Sequence, residues 1–173
     1  VRPPYKEPTP TNNEDPAAYA RNIAIEKVKS IGEPEPDCLV IGADTIVLFN
    51  GSILGKPGCK FEANKMISQL SGEKHHVITG LALGQSDGSI QSCTVKTEVV
   101  FRKLTRDEIV WYVESGDWKG KAGAYGIQSL GGALVEKLSG DWFNVVGLPI
   151  PRLLIWLSNL KYDIWPPSIQ RCK

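Results

Sequence analysis

The hydrophobic positions of residues 15–32 recur at the three- and four-residue spacing of an amphipathic helix. Asp15 suits the N-cap, Pro16 suits the first helical position, and Gly32 is a typical stop signal. Lys27 falls at the edge of the apolar stripe. We therefore predict a helix whose Lys27 either extends its ammonium to solvent along an apolar stem or faces a functional site.

A continuous apolar run over residues 38–49 is typical of a strand that is buried on both faces. Asp44 and Thr45 interrupt this run. Because a buried unpaired carboxylate is costly, Asp44 requires a partner. The dipeptide Asn50-Gly51 is a strong hairpin signal, and it returns the chain toward Lys56. We expect the Asp44 carboxylate and the Lys56 ammonium to lie near each other across or beside this hairpin.

The rest of the chain shows the helical and the strand period in turn. The pattern predicts a helix over residues 60–72, strands over 74–85 and 89–104 joined at 86–89, a helix over 105–116 and a short apolar helix over 151–160. Thr105 and Glu108 have the spacing of a capping box. The glycine-rich segment 117–149 reads as neither helix nor linker. Mixed hairpins and helices indicate an α/β fold with helices on the faces of a sheet.

Composition and charge narrow the function classes. The chain has 173 residues, enough for one domain with a sizeable core, and its 20 Lys and Arg against 19 Asp and Glu leave a net charge of +1. No global field then recruits nucleic acid or an anionic membrane, so we expect neither as a partner. The four cysteines form no C-x-x-C pair, and no apolar run approaches the ~18 residues of a membrane span. We predict a cytoplasmic protein with reduced thiols.

Histidine-based chemistry is poorly represented. His75 and His76 are the only histidines, and as neighbours on a strand they point to opposite faces, so they cannot jointly bind one metal ion. We assign them structural or surface roles and expect no zinc centre. A serine or cysteine hydrolase is also disfavoured, because its histidine base would have to come from this pair.

Carboxylates, lysines and an amide remain as candidate chemistry. The polar groups that the predicted fold does not explain are Glu7, Lys27, Asp44, Lys56, Lys121 and Gln128. Small residues flank Lys121 and Gln128, which suits close approach of a ligand to the backbone, although loop geometry explains the glycines about as well. Carboxylates and several lysines favour magnesium-assisted attack of water on a phosphoanhydride, in which lysines neutralise the departing phosphates.

Seven motifs occur in a fixed order along the chain. They are "IGADTIV", "G-ILGKP", "LSGEKHHVITG", "TEVVF", "Y-ESG", "KAGAYGIQ-LGG" and "SGDWFNVVGLP". This co-linear set resembles the Maf family of nucleoside triphosphate pyrophosphatases, from residue 7 to about residue 157. The form "AYGIQ" is similar to the branch that acts on dTTP and UTP, not the branch that prefers 7-methyl-GTP.

The resemblance implies an elongated, curved mixed β-sheet with flanking helices in two lobes around a cleft. It implies a single domain over residues 1–160 and a tail over residues 161–173. The implied activity is hydrolysis of the bond between the α and β phosphates of dTTP, UTP and modified pyrimidine nucleotides, giving a monophosphate and pyrophosphate and cleansing the nucleotide pools. The implied cofactor is Mg²⁺ or Mn²⁺, the partner is the nucleoside triphosphate, and the assembly is a homodimer.

The resemblance also implies roles for individual residues. The catalytic positions correspond to Asp44, Lys56 and Lys27, and the substrate-binding positions correspond to Lys121, Gln128, Glu7 and Thr45. Asp44 is implied as the base or a metal ligand, and Glu7 as a second metal ligand. Gln128 is a candidate for contacting the base of the nucleotide.

One departure from the family pattern concerns the first loop. Family members begin with a strand and an S-x-S-P-R-R loop that binds phosphate, and the present sequence begins after that segment. We expect weak or absent catalysis if the chain is complete. The alternatives to the enzyme are a nucleotide-binding or partner-binding module that has lost catalysis with this loop, and a plain structural scaffold.

Overall fold

The computed structural model describes Pro8 and residues 15–32, 34–36 and 38–162. Glu7 and residues 163–173 of the predicted tail lie outside the described residues. The helices and strands, in chain order, are α1 (Pro16–Ile31), β1 (Val40–Phe49), β2 (Ser52–Leu54), α2 (Lys60–Leu70), β3 (Lys74–Gly84), β4 (Ile90–Phe101), α3 (Arg106–Ser115), β5 (Val135–Ser139), α4 (Trp142–Val146) and α5 (Ile150–Asn159). Short 3₁₀ turns cover Ala122–Ala124 and Leu130–Leu134. The predicted α/β class is confirmed.

The boundaries of α1 follow from its cap residues. The Asp15 carboxylate accepts hydrogen bonds from the backbone N–H groups of Ala17 and Ala18 at 3.4 and 3.1 Å. At the other end Gly32 has a φ of 83°, a conformation that ends a helix and favours glycine. The predicted helix is confirmed at both ends.

The five strands form one sheet in the order β2-β1-β3-β4-β5, and every pairing between them is antiparallel. The mixed sheet implied by the resemblance is therefore not seen within the described residues. The predicted hairpin at Asn50-Gly51 is confirmed, with φ values of 47° and 77° at its two turn residues. β1 begins at Val40 and not at residue 38, because Cys38 is exposed and precedes the first sheet pairing.

The turn between β3 and β4 contains a formal G-x-S-x-G sequence over residues 84–88. A nucleophile elbow of that sequence joins a strand to a helix. Here the segment joins two antiparallel strands, and Gln85 and Ser89 close it through backbone and side-chain hydrogen bonds. The motif is a hairpin turn and offers no serine nucleophile.

Helices cover both faces of the sheet. On one face α1 packs against β1 and β3, where Gly80 lets it approach closely. A Cβ at this position would lie 2.2 Å from the backbone oxygen of Ala20. The other face carries the larger core, in which α2 and α3 pack against residues of β1, β3 and β4 such as Val77 and Phe101. The predicted capping box of α3, formed by Thr105 and Glu108, is present.

The register of β1 against β3 decides which way the polar side chains point. Asp44 lies opposite Gly80, and Thr45 lies opposite Thr79. Because directly opposed residues share a face and successive residues alternate, Asp44 points toward α1 and Thr45 points toward the other face. The side chains of Asp44 and Thr45 therefore lie on opposite faces of the sheet.

Candidate active site

A cavity of about 340 Å³ lies along the edge of β1. β2 pairs only with Val47–Phe49 of that strand, and among the described residues no strand pairs with the stretch before Val47 on this side. Six of the seven predicted site residues line this cavity: Lys27, Asp44, Thr45, Lys56, Lys121 and Gln128. The seventh, Glu7, lies outside the described residues. Because β2 stops pairing at Val47, the edge of β1 before Val47 is open in the described part of the chain, and residues from distant segments line the cavity there.

Asp44 is buried and ion-paired. Its carboxylate Oδ1 lies 2.7 Å from Lys27 Nζ, and its side chain is only 9% exposed. The Lys27 ammonium also donates to the backbone oxygen of Ala43 at 3.3 Å. Of the two orientations left open for Lys27, the structure has the one that faces the site. The cation offsets part of the cost of burying the Asp44 carboxylate.

Lys56 lines the same cavity from the segment that follows the return strand of the hairpin. It follows Leu54, the last residue of β2, by two positions. Lys56 and Asp44 line both the main cavity and an adjoining one of about 490 Å³, whose apolar wall includes Tyr19 and Ile53. The prediction that the Asn50-Gly51 hairpin brings these two groups to one site is confirmed.

Thr45 belongs to a buried chain of hydrogen bonds on the opposite face of the sheet. Its hydroxyl lies 2.8 Å from that of Thr79, which donates to the backbone oxygen of Asn144 at 3.0 Å. The Asn144 side chain is fully buried and donates to the Val77 carbonyl and the Thr97 hydroxyl. These bonds fix α4 against the sheet and hold Val145 and Val146 at the cavity.

The glycine-rich segment supplies the opposite wall of the cavity. Gly120, Ala122, Tyr125, Gly126 and Gln128 line it together with Lys121. The Lys121 ammonium lies 2.7 Å from Asp117 Oδ1. The predicted position of Lys121 at the cavity is therefore correct, and its charge is engaged by a carboxylate of the protein itself.

His75 supports this wall from beneath. Its Nε2 lies 2.8 Å from the hydroxyl of Tyr125, and its ring makes edge contacts with the rings of Phe101 and Tyr125. Burial, together with the neighbouring His76, lowers the pKa of His75 to about 4, so the ring is neutral near pH 7. Burial also raises the pKa of the Tyr125 hydroxyl. The predicted structural role fits His75.

Sequence reasoning missed Asp117 and Asn144. Asp117 accepts hydrogen bonds from residues up to 14 positions away, and Asn144 donates to residues on β3 and β4. Both stand in segments where polar residues are unremarkable. Asp117 directly follows the motif "Y-ESG" and Asn144 lies inside the motif "SGDWFNVVGLP", and these positions were the only signal that could have identified them.

Within the part of the chain that the structure describes, no three His, Cys, Asp or Glu side chains converge to hold a metal ion. Cys38, Cys59 and Cys93 are free thiols, as predicted. None of the helices in these ranges combines the length and the apolar character needed to cross a bilayer.

Comparison with known proteins gives a consistent result. The model of the family described as Maf-like protein matches residues 1–160. A dTTP/UTP pyrophosphatase of Symbiobacterium thermophilum is 42% identical over 152 residues, which cover 88% of this chain and 78% of that protein. The dTTP/UTP pyrophosphatase of Pyrococcus furiosus is 47% identical over 79% of this chain and 71% of its own length. That of Halalkalibacterium halodurans is 46% identical, over 76% and 69%.

Proposed function

The chain belongs to the Maf family, and from that premise we propose that it hydrolyses dTTP and UTP to the monophosphate and pyrophosphate. The observation that carries the proposal is the cavity at the edge of β1, where a buried carboxylate and two lysines face one space. This is the charge pattern that a phosphoanhydride substrate requires. The names of relatives at 42–47% identity support the choice of nucleotide.

Asp44 is proposed to orient the attacking water and accept its proton. The ion pair with Lys27 Nζ at 2.7 Å holds the carboxylate in one orientation, which a general base needs. Lys56 follows the return strand of the hairpin, lines the same cavity and is proposed to neutralise charge on the departing pyrophosphate. The water oxygen attacks the α phosphorus while its proton passes to Asp44, the bond between this phosphorus and the bridging oxygen breaks, and pyrophosphate leaves with the bridging oxygen.

We also propose Mg²⁺ or Mn²⁺ as cofactor. The cavity offers the Asp44 carboxylate, a hard oxygen donor. Mg²⁺ commonly takes one or two carboxylates and completes its shell with water and substrate phosphates, so this small donor set fits it. When bound, the ion would polarise phosphate oxygens. Glu7, the other proposed ligand, lies outside the described residues.

Gln128 and Thr45 are proposed substrate contacts on opposite walls of the cavity. The Gln128 side chain is exposed at the rim, where its amide can both donate to and accept from a pyrimidine edge. Replacement by alanine would then raise KM for UTP while changing kcat little. Replacement by glutamate is a sharper probe, because it removes the donor and keeps the size.

Three broader proposals follow from the family. We propose that residues 1–160 form a single domain, that the tail begins after it, and that the protein acts as a cytoplasmic homodimer. Limited proteolysis should give a stable core ending near residue 160. Light scattering should give a mass of twice 19.0 kDa, and a monomer at all concentrations would contradict the dimer.

The reaction assignment is tested by product analysis. The protein is incubated with UTP and Mg²⁺, and the phosphorus-containing products are identified by ³¹P NMR. We expect UMP and pyrophosphate in equal amounts, and no turnover when the metal is removed by a chelator. Orthophosphate as the first product would contradict cleavage at the α–β bond. Thermal stabilisation by UTP without turnover would support a binding module instead.

A further inference from the structure

The Asp117 carboxylate accepts hydrogen bonds from four donors that lie in α3 and in the segment around the cavity. Its Oδ1 accepts from Lys121 Nζ at 2.7 Å. Its Oδ2 accepts from the Ser129 hydroxyl at 2.8 Å and from the Gly131 backbone N–H at 3.2 Å. The Tyr112 hydroxyl lies 3.3 Å from the same oxygen. A half-buried carboxylate thus binds donors that lie up to 14 residues from it along the chain.

These contacts enclose the part of the chain that lines the cavity. We call residues 120–131 the wall segment. Between Lys121 and Ser129, both bound to Asp117, the wall segment contributes Ala122, Tyr125 and Gln128 to the cavity. The segment contains no long helix or strand, only the 3₁₀ turn Ala122–Ala124 and the start of the 3₁₀ turn Leu130–Leu134. Its shape therefore depends on side-chain bonds more than a regular element would.

The aliphatic stem of Lys121 runs along the backbone of the wall segment, and 26% of its side chain is exposed. A Cβ at Gly126 would lie 2.7 Å from Lys121 Cε and 2.9 Å from Lys121 Cδ, so the aliphatic stem passes directly against the Gly126 backbone. The ammonium also bonds the backbone oxygen of Asp117. Two acceptors on one residue therefore engage the charged end of Lys121.

The lowered pKa of Asp117 fits the same arrangement. Burial raises the pKa of Asp117, but the hydrogen bonds from Lys121, Ser129 and Gly131 outweigh burial and hold this pKa below its usual value. The carboxylate is therefore ionised throughout the neutral range. A buried ionised acceptor bonded by several donors is a strong local constraint.

We propose that Asp117 is a positioning residue, which with Lys121 clamps the wall segment in the shape that receives the nucleoside. Lys121 then acts as part of this Asp117 clamp and not as a phosphate ligand, which replaces the substrate-binding role expected from the resemblance. The inference rests on the proposed function for its substrate and goes beyond it in assigning these two residues. Asp117 acts through Tyr125 and Gln128 and touches no reacting atom.

The clamp and the phosphate-ligand role predict different losses. If Lys121 and Asp117 form one clamp, removing either member loosens the same wall, so their effects do not add; Asp117, which also binds Ser129 and Gly131, has an effect at least as large as that of Lys121. The affinity that the variants lose is the affinity for the nucleoside end of the substrate. If Lys121 binds phosphate, its removal weakens pyrophosphate binding, and removal of Asp117 does not.

The experiment uses three variants of the full chain: Asp117→Asn, Lys121→Met and the double variant. Each is titrated calorimetrically with UMP, which probes the nucleoside end, and with pyrophosphate, which probes the phosphate end. Glu114→Gln is the matched control, because Glu114 also pairs with a lysine, at 2.6 Å from Lys60, but on an exposed surface. A thermal melt confirms that each variant is folded.

We expect all three variants to lose UMP affinity, by about tenfold, since hydrogen bonds to charged groups are involved, and we expect the double variant to lose no more than Asp117→Asn alone. Pyrophosphate affinity should stay within twofold of the wild type, and the control should change neither. Loss of pyrophosphate affinity in Lys121→Met alone would overturn the proposal. Unchanged UMP affinity in all variants, or additive losses in the double variant, would also overturn it.

Hydrogen exchange without any nucleotide separates the clamp from the proposed function. The Gly131 amide donates to Asp117, so we expect faster exchange in the wall segment of Asp117→Asn than in the wild type, with the β3–β4 amides unchanged. If exchange in the wall segment is unchanged, the clamp is wrong. If the wild type neither binds nor hydrolyses UTP, the proposed function fails, and the exchange rates still decide the clamp.

Discussion

Replacing Gly80 with alanine tests how closely α1 packs against the sheet. Because α1 carries Lys27, the same replacement tests whether this packing places Lys27 beside Asp44. The added Cβ would lie 2.2 Å from the Ala20 oxygen and 2.5 Å from the Arg21 nitrogen, both backbone atoms, whereas ordinary contact begins at 3.4 Å. Backbone cannot rotate away as a side chain can. We therefore expect α1 to withdraw from β3 by about 1 Å or the sheet to distort by a similar amount.

The size of the effect follows from this overlap. Overpacking a core costs about 1–3 kcal/mol, and a clash with backbone atoms belongs in the upper part of that range. For a chain of this length each kcal/mol corresponds to roughly 2–4 °C, so 2–3 kcal/mol lowers Tm by about 4–12 °C. The shift also stretches the 2.7 Å contact between Lys27 and Asp44, so kcat/KM for UTP should fall even where the variant is folded.

The assay combines thermal unfolding followed by circular dichroism with UTP hydrolysis well below Tm. Gly58→Ala is the matched control, because a Cβ there meets only the flexible end of Glu62, at 3.4 Å. We expect that control to keep its activity and to be as stable as the wild type or slightly more stable. A Gly80→Ala protein with wild-type Tm and activity would refute the close packing of α1 and its role in placing Lys27.

Two further predictions concern buried polar groups. The pKa of His75 is about 4 in the folded protein against an ordinary 6.5. Between these two pH values the unfolded chain binds a proton at His75 that the folded protein does not. The free energy of unfolding is therefore unaffected by this group above pH 6.5 and falls by about 3 kcal/mol toward pH 4. Urea unfolding at pH 7 and pH 4.5 should show a smaller pH effect in His75→Gln, and an equal effect in both proteins would contradict this assignment. Asn144→Ala removes the donors to the Val77 carbonyl and the Thr97 hydroxyl, and we expect a loss of about 2–3 kcal/mol in urea unfolding. A loss below 0.5 kcal/mol, the roughly neutral range of surface substitutions, would show that these bonds do not hold α4.

Local signals in the sequence were sufficient for most elements. Asp15, Pro16 and Gly32 fixed the ends of α1, and Asn50-Gly51 fixed the first hairpin, because caps and tight turns depend on residues adjacent in the chain. The register of that hairpin also explains why Lys56 reaches the site of Asp44. The expectation of a mixed sheet came from the resemblance and not from any strand pattern, and the described strands pair antiparallel throughout.

The remaining features depend on contacts between distant residues. β5 lies inside the glycine-rich segment and has only five residues, too few for a clear period. The position of Lys121 beside the cavity was predictable, but the direction of its ammonium was not, since that direction is set by Asp117 and by passage under Gly126. Asn144 is likewise meaningful only once β3, β4 and α4 are together.

The central claim is that Asp44 serves chemistry more than stability, and the rate of UTP hydrolysis by Asp44→Asn tests it most directly. Asparagine keeps the size and an acceptor oxygen but removes the charge that pairs with Lys27 at 2.7 Å. Asp87→Asn, in the exposed turn after β3, is the control. We expect turnover to fall at least about a thousandfold in Asp44→Asn, with a Tm close to that of the wild type and no change in the control. Substantial turnover in a folded Asp44→Asn protein, or unfolding of that protein, would contradict the account.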